Sequence, residues 1–224
     1  GIGFAHLCNA RGYKCVIVMP DNQSPEKAAL LRTLGAEVRV VKTVPYADPN
    51  HYQKLAPKVA EELGAAIGNQ FDNTANRDAH YGTTGPEIWR DTKGRVTHFV
   101  SAMGTTGTIN GVSRFLKSKK EALRVIGAQP AEGSRIPGIR KWPEAYMPKI
   151  YDPTHIDEIV LVSQAEAEDM ARRLAREEGL FAGISAAGAC AVALKLAERL
   201  EDATIVFIVC DRGDRYLSTG VFPA

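Results

Sequence analysis

The run Gly104-Thr105-Thr106-Gly107-Thr108 combines two glycines and three hydroxyls between an apolar strand pattern and a helical one. Glycines let a backbone approach an anion closely, hydroxyls add donors, and the free N–H groups of a helix start favour a phosphate. A plain tight strand–helix turn would have the same composition, so both readings stand. The run is neither a Walker loop, since no G-K-[ST] follows, nor a G-x-G-x-x-G fingerprint. In Gly183-Ile184-Ser185-Ala186-Ala187-Gly188, Ser185 precedes a small-residue helix and reads as its N-cap. Ala187 stands where a G-x-S-x-G nucleophile elbow needs its second glycine, which disfavours a serine hydrolase. Cys210-Asp211-Arg212-Gly213-Asp214-Arg215-Tyr216 follows the last apolar strand directly. Such a charged run is often only a solvated turn, but ligands of open parallel sheets bind beyond strand C-termini. The amides of Gln70-Phe71-Asp72-Asn73 could take a carboxylate or merely hold a turn. His6, His51, His80, His98 and His155 are scattered, and no two cysteines are spaced as CxxC, so no metal site is expected.

Alternating strand and helix patterns must position these loops. Gly12 stops an opening helix, Cys15 to Met19 is a continuous apolar strand run, and Ser24-Pro25 opens a helix with Ala28, Leu31 and Leu34 inside. Val38 to Val41 predicts a strand, His51 to Leu63 a helix interrupted by Pro57, and Ala66-Ile67-Gly68 a short strand. Thr84-x-x-Glu87 and Ser163-x-x-Glu166 both fit capping boxes. Strands are expected at 97–101, 125–128, 156–162 and 205–209, the last one buried. Helices are expected at 109–117, after Ser163 with Met170, Ala171 and Leu174 inside, and at 185–200. The five prolines of 130–153 predict an irregular excursion. Strand–helix alternation of this kind specifies an α/β fold of mostly parallel sheets in three layers. The expected division is 1–68, a smaller set of repeated strand–helix units, and 69–224, a second and larger α/β segment.

Across 224 residues the apolar fraction is 45%, the charged fraction 24% and the net charge +2, which gives no reason to expect a nucleic-acid or membrane partner. Cys8, Cys15 and Cys190 sit in apolar runs and read as buried thiols, pointing to a reducing, cytoplasmic compartment. The chain opens as Gly1-Ile2-Gly3-Phe4-Ala5 without Met and within a helical pattern carried by Phe4, Leu7 and Cys8; it reads as truncated at its N-terminus.

Together these loops resemble the fold-type II pyridoxal-phosphate enzymes, the tryptophan synthase β-subunit-like fold, and within them the cysteine synthases of B type. The likeness is carried by MPDNQSPEKAALLRTLGAEV, NQFDN, TTGPEIW, SAMGTTGTINGVSRFL, GAQPAEGSRIPGIRKWPEAYMP and CDRGDRYLSTGVF, in family order over nearly the whole chain. GTTGT in place of GTGGT, IPGIRKWP and CDRGDRYLST mark the B type. The resemblance implies that Gly104, Thr105, Thr106, Gly107 and Thr108 hold the phosphate of pyridoxal 5'-phosphate. By the same likeness Ser185 meets the pyridine nitrogen, with Cys210 and Asp211 beside it. Gln70 is implied to hold the substrate α-carboxylate, and Arg140 and Lys141 to attract an anionic second substrate. The implied reaction makes L-cysteine from O-acetyl-L-serine and sulfide or thiosulfate, in a homodimer.

Two departures accompany the likeness. The family's N-P-x-G-S-x-K-D-R segment, with its Schiff-base lysine, has no counterpart here, and of the T-S-G-N-T-G loop only Gly1 could remain. The lysine is therefore expected upstream, no catalytic residue is assigned within the chain, and the chain alone is expected to be inactive. Ala186-Ala187-Gly188 stands where the B type usually has Ser-Gly-Gly. A cystathionine β-synthase or threonine deaminase type of enzyme and a non-catalytic anion-binding module are the alternatives.

Overall fold

The computed structural model describes residues 1–222. Its contacts divide the chain into two units, Gly1–Gly68 with Asp214–Ala224, and Asn69–Gly213.

The first unit holds α1 (Ile2–Ala10), β1 (Val16–Pro20), α2 (Pro25–Thr33), β2 (Glu37–Val41) and α3 (Tyr52–Glu62). β1 and β2 pair in parallel with Ile17 opposite Val38. Ala5, Cys8, Cys15, Met19 and Leu31 form the core, whereas Phe4 and Leu7 are exposed, so the inner stripe of α1 is Ala5–Cys8. Ser24 takes the extended N-cap conformation before Pro25, yet its hydroxyl donates to the Arg215 carbonyl at 2.6 Å. Glu26 accepts from the backbone and hydroxyl of Ser218. These bonds tie segment 214–222 to the first unit, although the sequence pattern groups it with the residues before it. The strand expected at Ala66-Ile67-Gly68 does not form: the sheet contains only β1 and β2, and Ile67 is exposed.

The second unit holds α4 (Ala75–Gly82), α5 (Thr84–Asp91), β3 (His98–Ala102), α6 (Gly107–Lys119), β4 (Arg124–Pro130), β5 (Glu158–Val162), α7 (Gln164–Glu177), α8 (Ile184–Ala197) and β6 (Ile205–Phe207). The excursion between β4 and β5 contains only two 3-10 turns, Glu144–Tyr146 and Pro153–His155. The four strands are parallel in the order β5-β4-β3-β6. Side chains alternate across such a sheet. Phe99 and Val125, register partners, pack with Val112 and Leu116 of α6, while the next pair, Val100 and Ile126, is buried on the other face. Right-handed crossovers set α6 and the α7–α8 pair on opposite faces of the sheet. α8 is buried from Ile184 to Ala193, and its small residues let it lie close against the sheet. β6 is shorter than expected and half-buried, since it lies at the sheet edge.

The two capping boxes diverge. At α7 the Ser163 hydroxyl accepts from the Glu166 backbone N–H and the Glu166 carboxylate accepts from the Ser163 backbone N–H. At α5 the helix begins at Thr84 itself and no side chain caps it. The α4–α5 junction explains this: Thr83 donates its hydroxyl to the Ala79 carbonyl at 2.7 Å, and Thr84 faces His80.

The Lys195 ammonium, then the Ser163 N–H, hold the Glu166 carboxyl down at about 2, below the ordinary 4.5. A depressed folded-state pKa stabilises above the unfolded value and the gain is lost as pH falls toward 2. Because the Glu166 side chain is 41% exposed, solvent screening limits the gain to about 1 kcal/mol. Urea unfolding should therefore find Glu166→Gln less stable than the wild type by that amount at pH 7, with the gap narrowing between pH 4.5 and 3. A gap unchanged at pH 3 would refute the ionic origin.

Candidate functional site

The chain lays β3, β4 and β5 in one direction and then returns to place β6 on the other side of β3. Ligands of open parallel sheets bind beyond the strand C-termini at such a reversal. The loops leaving β3 and β6 carry Gly104 to Thr108 and Cys210-Asp211.

The last two residues of the glycine-threonine run form the first turn of α6, which begins at Gly107 and not at Ile109. The opening N–H groups of a helix lack intrahelical acceptors; here Gly107 N–H reaches only the Thr105 hydroxyl, at a long 3.4 Å. Thr106 caps the helix with φ +71 and is 3% exposed. That conformation costs a β-branched residue about 1–2 kcal/mol, and strain of this kind concentrates at functional turns. Asn110 holds it: its backbone N–H donates to the Thr106 carbonyl at 3.1 Å, and its side-chain amide donates to the Thr106 hydroxyl at 3.3 Å and the Ile150 carbonyl at 2.9 Å. The buried Oδ1 of Asn110 has no hydrogen-bond partner.

α4, which hydrophobic periodicity does not reveal, braces this loop. The Asn76 amide donates to the Gln70 carbonyl at 2.7 Å and the Thr105 hydroxyl at 3.1 Å, and a β-carbon on Gly107 would collide with it. One turn later, His80 places Nδ1 2.8 Å from the Thr84 hydroxyl and Nε2 3.2 Å from that of Thr108. Burial lowers the His80 pKa. Neither residue stands out in the sequence; the available signal was the pair Gly107 and Gly111, one turn apart on α6 and facing a close neighbour.

Ser185 is not an N-cap. Gly183 holds that position in extended conformation, and Ser185 sits one residue inside α8. The Gly183 N–H donates to the Asp211 carbonyl at 2.9 Å, which leaves Ser185, 5% exposed, with its hydroxyl 3.5 Å from the Cys210 sulfur. Cys210 as a residue is exposed, but desolvation around its sulfur pushes the thiol pKa up, against the pull of the Ser185 hydroxyl.

Gly138, at φ +91, joins the two halves. Its carbonyl lies 2.8 Å from where a β-carbon on Gly104 would stand, and a β-carbon on Gly138 would meet Ser185 Cβ and Oγ at 3.0 Å. One backbone unit therefore touches both the 104–108 loop and Ser185. The segment continues to Trp142, whose indole N–H donates to the Gly104 carbonyl at 2.8 Å. Arg140 stacks its guanidinium over Phe71 at 5.7 Å and Trp142 at 5.2 Å. Its neighbour Lys141 is exposed, as is Gln70. The structure thus gathers 104–108, Ser185, Cys210 and Asp211 at one end of the sheet, with Gln70 linked through Asn76 and Arg140 through Trp142.

A family model described as "Pyridoxal-phosphate dependent enzyme" matches residues 1–211. The chain is 50% identical to Cysteine synthase B of Pseudomonas aeruginosa over 99% of its own length and 74% of that protein. Among solved structures, O-ureido-L-serine synthase superposes with a TM-score of 0.89 at 36% identity, over 99% of this chain and 72% of that one. A cysteine synthase of Entamoeba histolytica superposes at 0.85 with 34% identity, over 100% and 68%.

Proposed function

Because the chain belongs to the pyridoxal-phosphate dependent enzymes, we propose that the intact protein makes L-cysteine by replacing the acetate of O-acetyl-L-serine with sulfide or thiosulfate. The observation that carries this reading is Gly138, whose backbone abuts both the Gly104 turn and Ser185. The groups fit pyridoxal 5'-phosphate. Glycines 104 and 107 let the turn close against the Gly138 carbonyl and the Asn76 amide, hydroxyls flank the turn, and the helix start favours an anion. When bound, the cofactor would supply the electron sink for removal of the α-proton and departure of acetate.

The chain's own residues then have these roles. Gly104 to Thr108 bind the phosphate through backbone N–H groups and hydroxyls. Ser185 donates its hydroxyl to the ring nitrogen; being neutral, it leaves that nitrogen without a full proton, which suits elimination and replacement better than transamination. Cys210 backs Ser185 at 3.5 Å, next to Asp211. Gln70 orients the substrate carboxylate, and Arg140 with Lys141 draws the anionic sulfur donor. Stacking on two aromatic faces holds Arg140 in place. The relative named Cysteine synthase B supports this product over that of a cystathionine β-synthase or threonine deaminase type.

The reading extends to a cytoplasmic homodimer. It is supported by four free cysteines, three of them buried, and by the exposed Ile159 and Leu161 on the edge strand β5. No helix among the described residues is long and apolar enough to cross a membrane.

The test supplies the intact protein with pyridoxal 5'-phosphate, O-acetyl-L-serine and sulfide. Cysteine and acetate should appear in equal amounts, and Ser185→Ala should lower kcat about tenfold, the worth of one hydrogen bond. Cystathionine from serine and homocysteine, with no cysteine from O-acetylserine, would replace this reading with its alternative.

A further inference from the structure

His80 and Asn76 lie one turn apart on α4, so their side chains share a face. That face meets the two threonine hydroxyls that flank the loop, Thr105 and Thr108. We propose that α4 positions both hydroxyls as donors to the phosphate: Thr84 O–H donates to His80 Nδ1, His80 Nε2–H donates to Thr108 Oγ1, and the Thr108 hydrogen is left to point into the loop. The proposal rests on the phosphate reading given above and deepens it; His80 is a positioning residue and does not touch the ligand.

Three observations make this direction of bonding available. At Thr105 the direction is fixed, because the Asn76 nitrogen at 3.1 Å can only donate, so the Thr105 hydrogen is free for another acceptor. At His80 both ring nitrogens have hydroxyl partners, at 2.8 and 3.2 Å. Burial favours the neutral ring, which has one donor and one acceptor nitrogen. Two chains of donation are therefore available. In the reverse chain Thr108 gives its hydrogen to Nε2 and presents only lone pairs to the loop. A phosphate oxygen accepts and cannot donate, so its binding selects the Nε2–H form.

The direct test is the tautomer of His80, read from long-range nitrogen–proton correlations of the uniformly labelled protein as pyridoxal 5'-phosphate is added. The resonances are assigned with the His80→Leu variant. The Nε2–H form should dominate in the bound protein; a dominant Nδ1–H form would overturn the proposal. Affinities give a second readout. His80→Leu should weaken pyridoxal 5'-phosphate binding about tenfold, the loss of one positioned donor. His80→Gln, whose amide can replace the Nε2 donor, should restore most of it. In a Thr108→Ala background His80→Leu should have no further effect. If Thr108→Ala itself leaves the affinity unchanged, the phosphate reading fails. If Thr108→Ala weakens binding but His80→Leu does not, only the relay fails.

Discussion

Gly107→Ala should weaken pyridoxal 5'-phosphate binding about a hundredfold while the protein stays folded. The new β-carbon would fall on the Asn76 amide, whose Cγ and Nδ2 stand 2.5 and 2.8 Å from its ideal position. A side-chain end can rotate away, so α6 need not move. The rotation, however, breaks the Asn76 bonds to the Gln70 carbonyl and the Thr105 hydroxyl together. Losing the two bonds that hold the phosphate loop in place amounts to about 3 kcal/mol, a hundredfold in affinity. Cofactor titration followed by tryptophan fluorescence would check it, and an affinity within threefold of wild type would contradict it.

Gly111→Ala, one turn further along α6, should instead act on folding. Here the β-carbon would run into the Arg77 carbonyl of α4, with His80 Cβ at 2.6 Å and the Tyr81 nitrogen at 2.9 Å. These are mainly backbone atoms and cannot swing aside, so α4 and α6 must separate. Overpacking of this kind costs about 3 kcal/mol, which for a chain of this size lowers Tm by roughly 6–12 °C. A thermal melt showing less than about 2 °C of change would mean that the helices part easily. The two glycines differ in what they face, so the pair of variants separates a defect in binding from one in packing.

Much of this was legible in the residues. Continuous apolar runs such as Phe99–Val100 and Val125–Ile126 mark strands buried on both faces, and the reversal that makes the site lies between loops whose composition already stood out. The Ser163 box formed because nothing else competes for its hydroxyl at the start of α7, whereas Thr83 and Thr84 are drawn to the carbonyl of Ala79 and the ring of His80. α4 was not legible. Ala75–Gly82 buries no residue, and its two Ala and one Arg are offset by one Asn, one Asp and a terminal Gly, so neither periodicity nor propensity marks it. Tertiary contact with the glycines of α6 makes it a helix, and those contacts deliver Asn76 and His80 to the loop. Ala66-Ile67-Gly68 failed in the opposite way: a short apolar run predicts a strand, but a strand exists only where a neighbour pairs with it.

The central claim is that one molecule spans residues 104–108 and Ser185. A crystal structure of the protein with pyridoxal 5'-phosphate tests it most directly. The phosphate should accept from the backbone and hydroxyls of residues 104–108, with Ser185 Oγ about 2.7–3.0 Å from the pyridine nitrogen. A phosphate bound at the loop while the ring nitrogen lies beyond reach of Ser185, or a cofactor seated elsewhere, would contradict it.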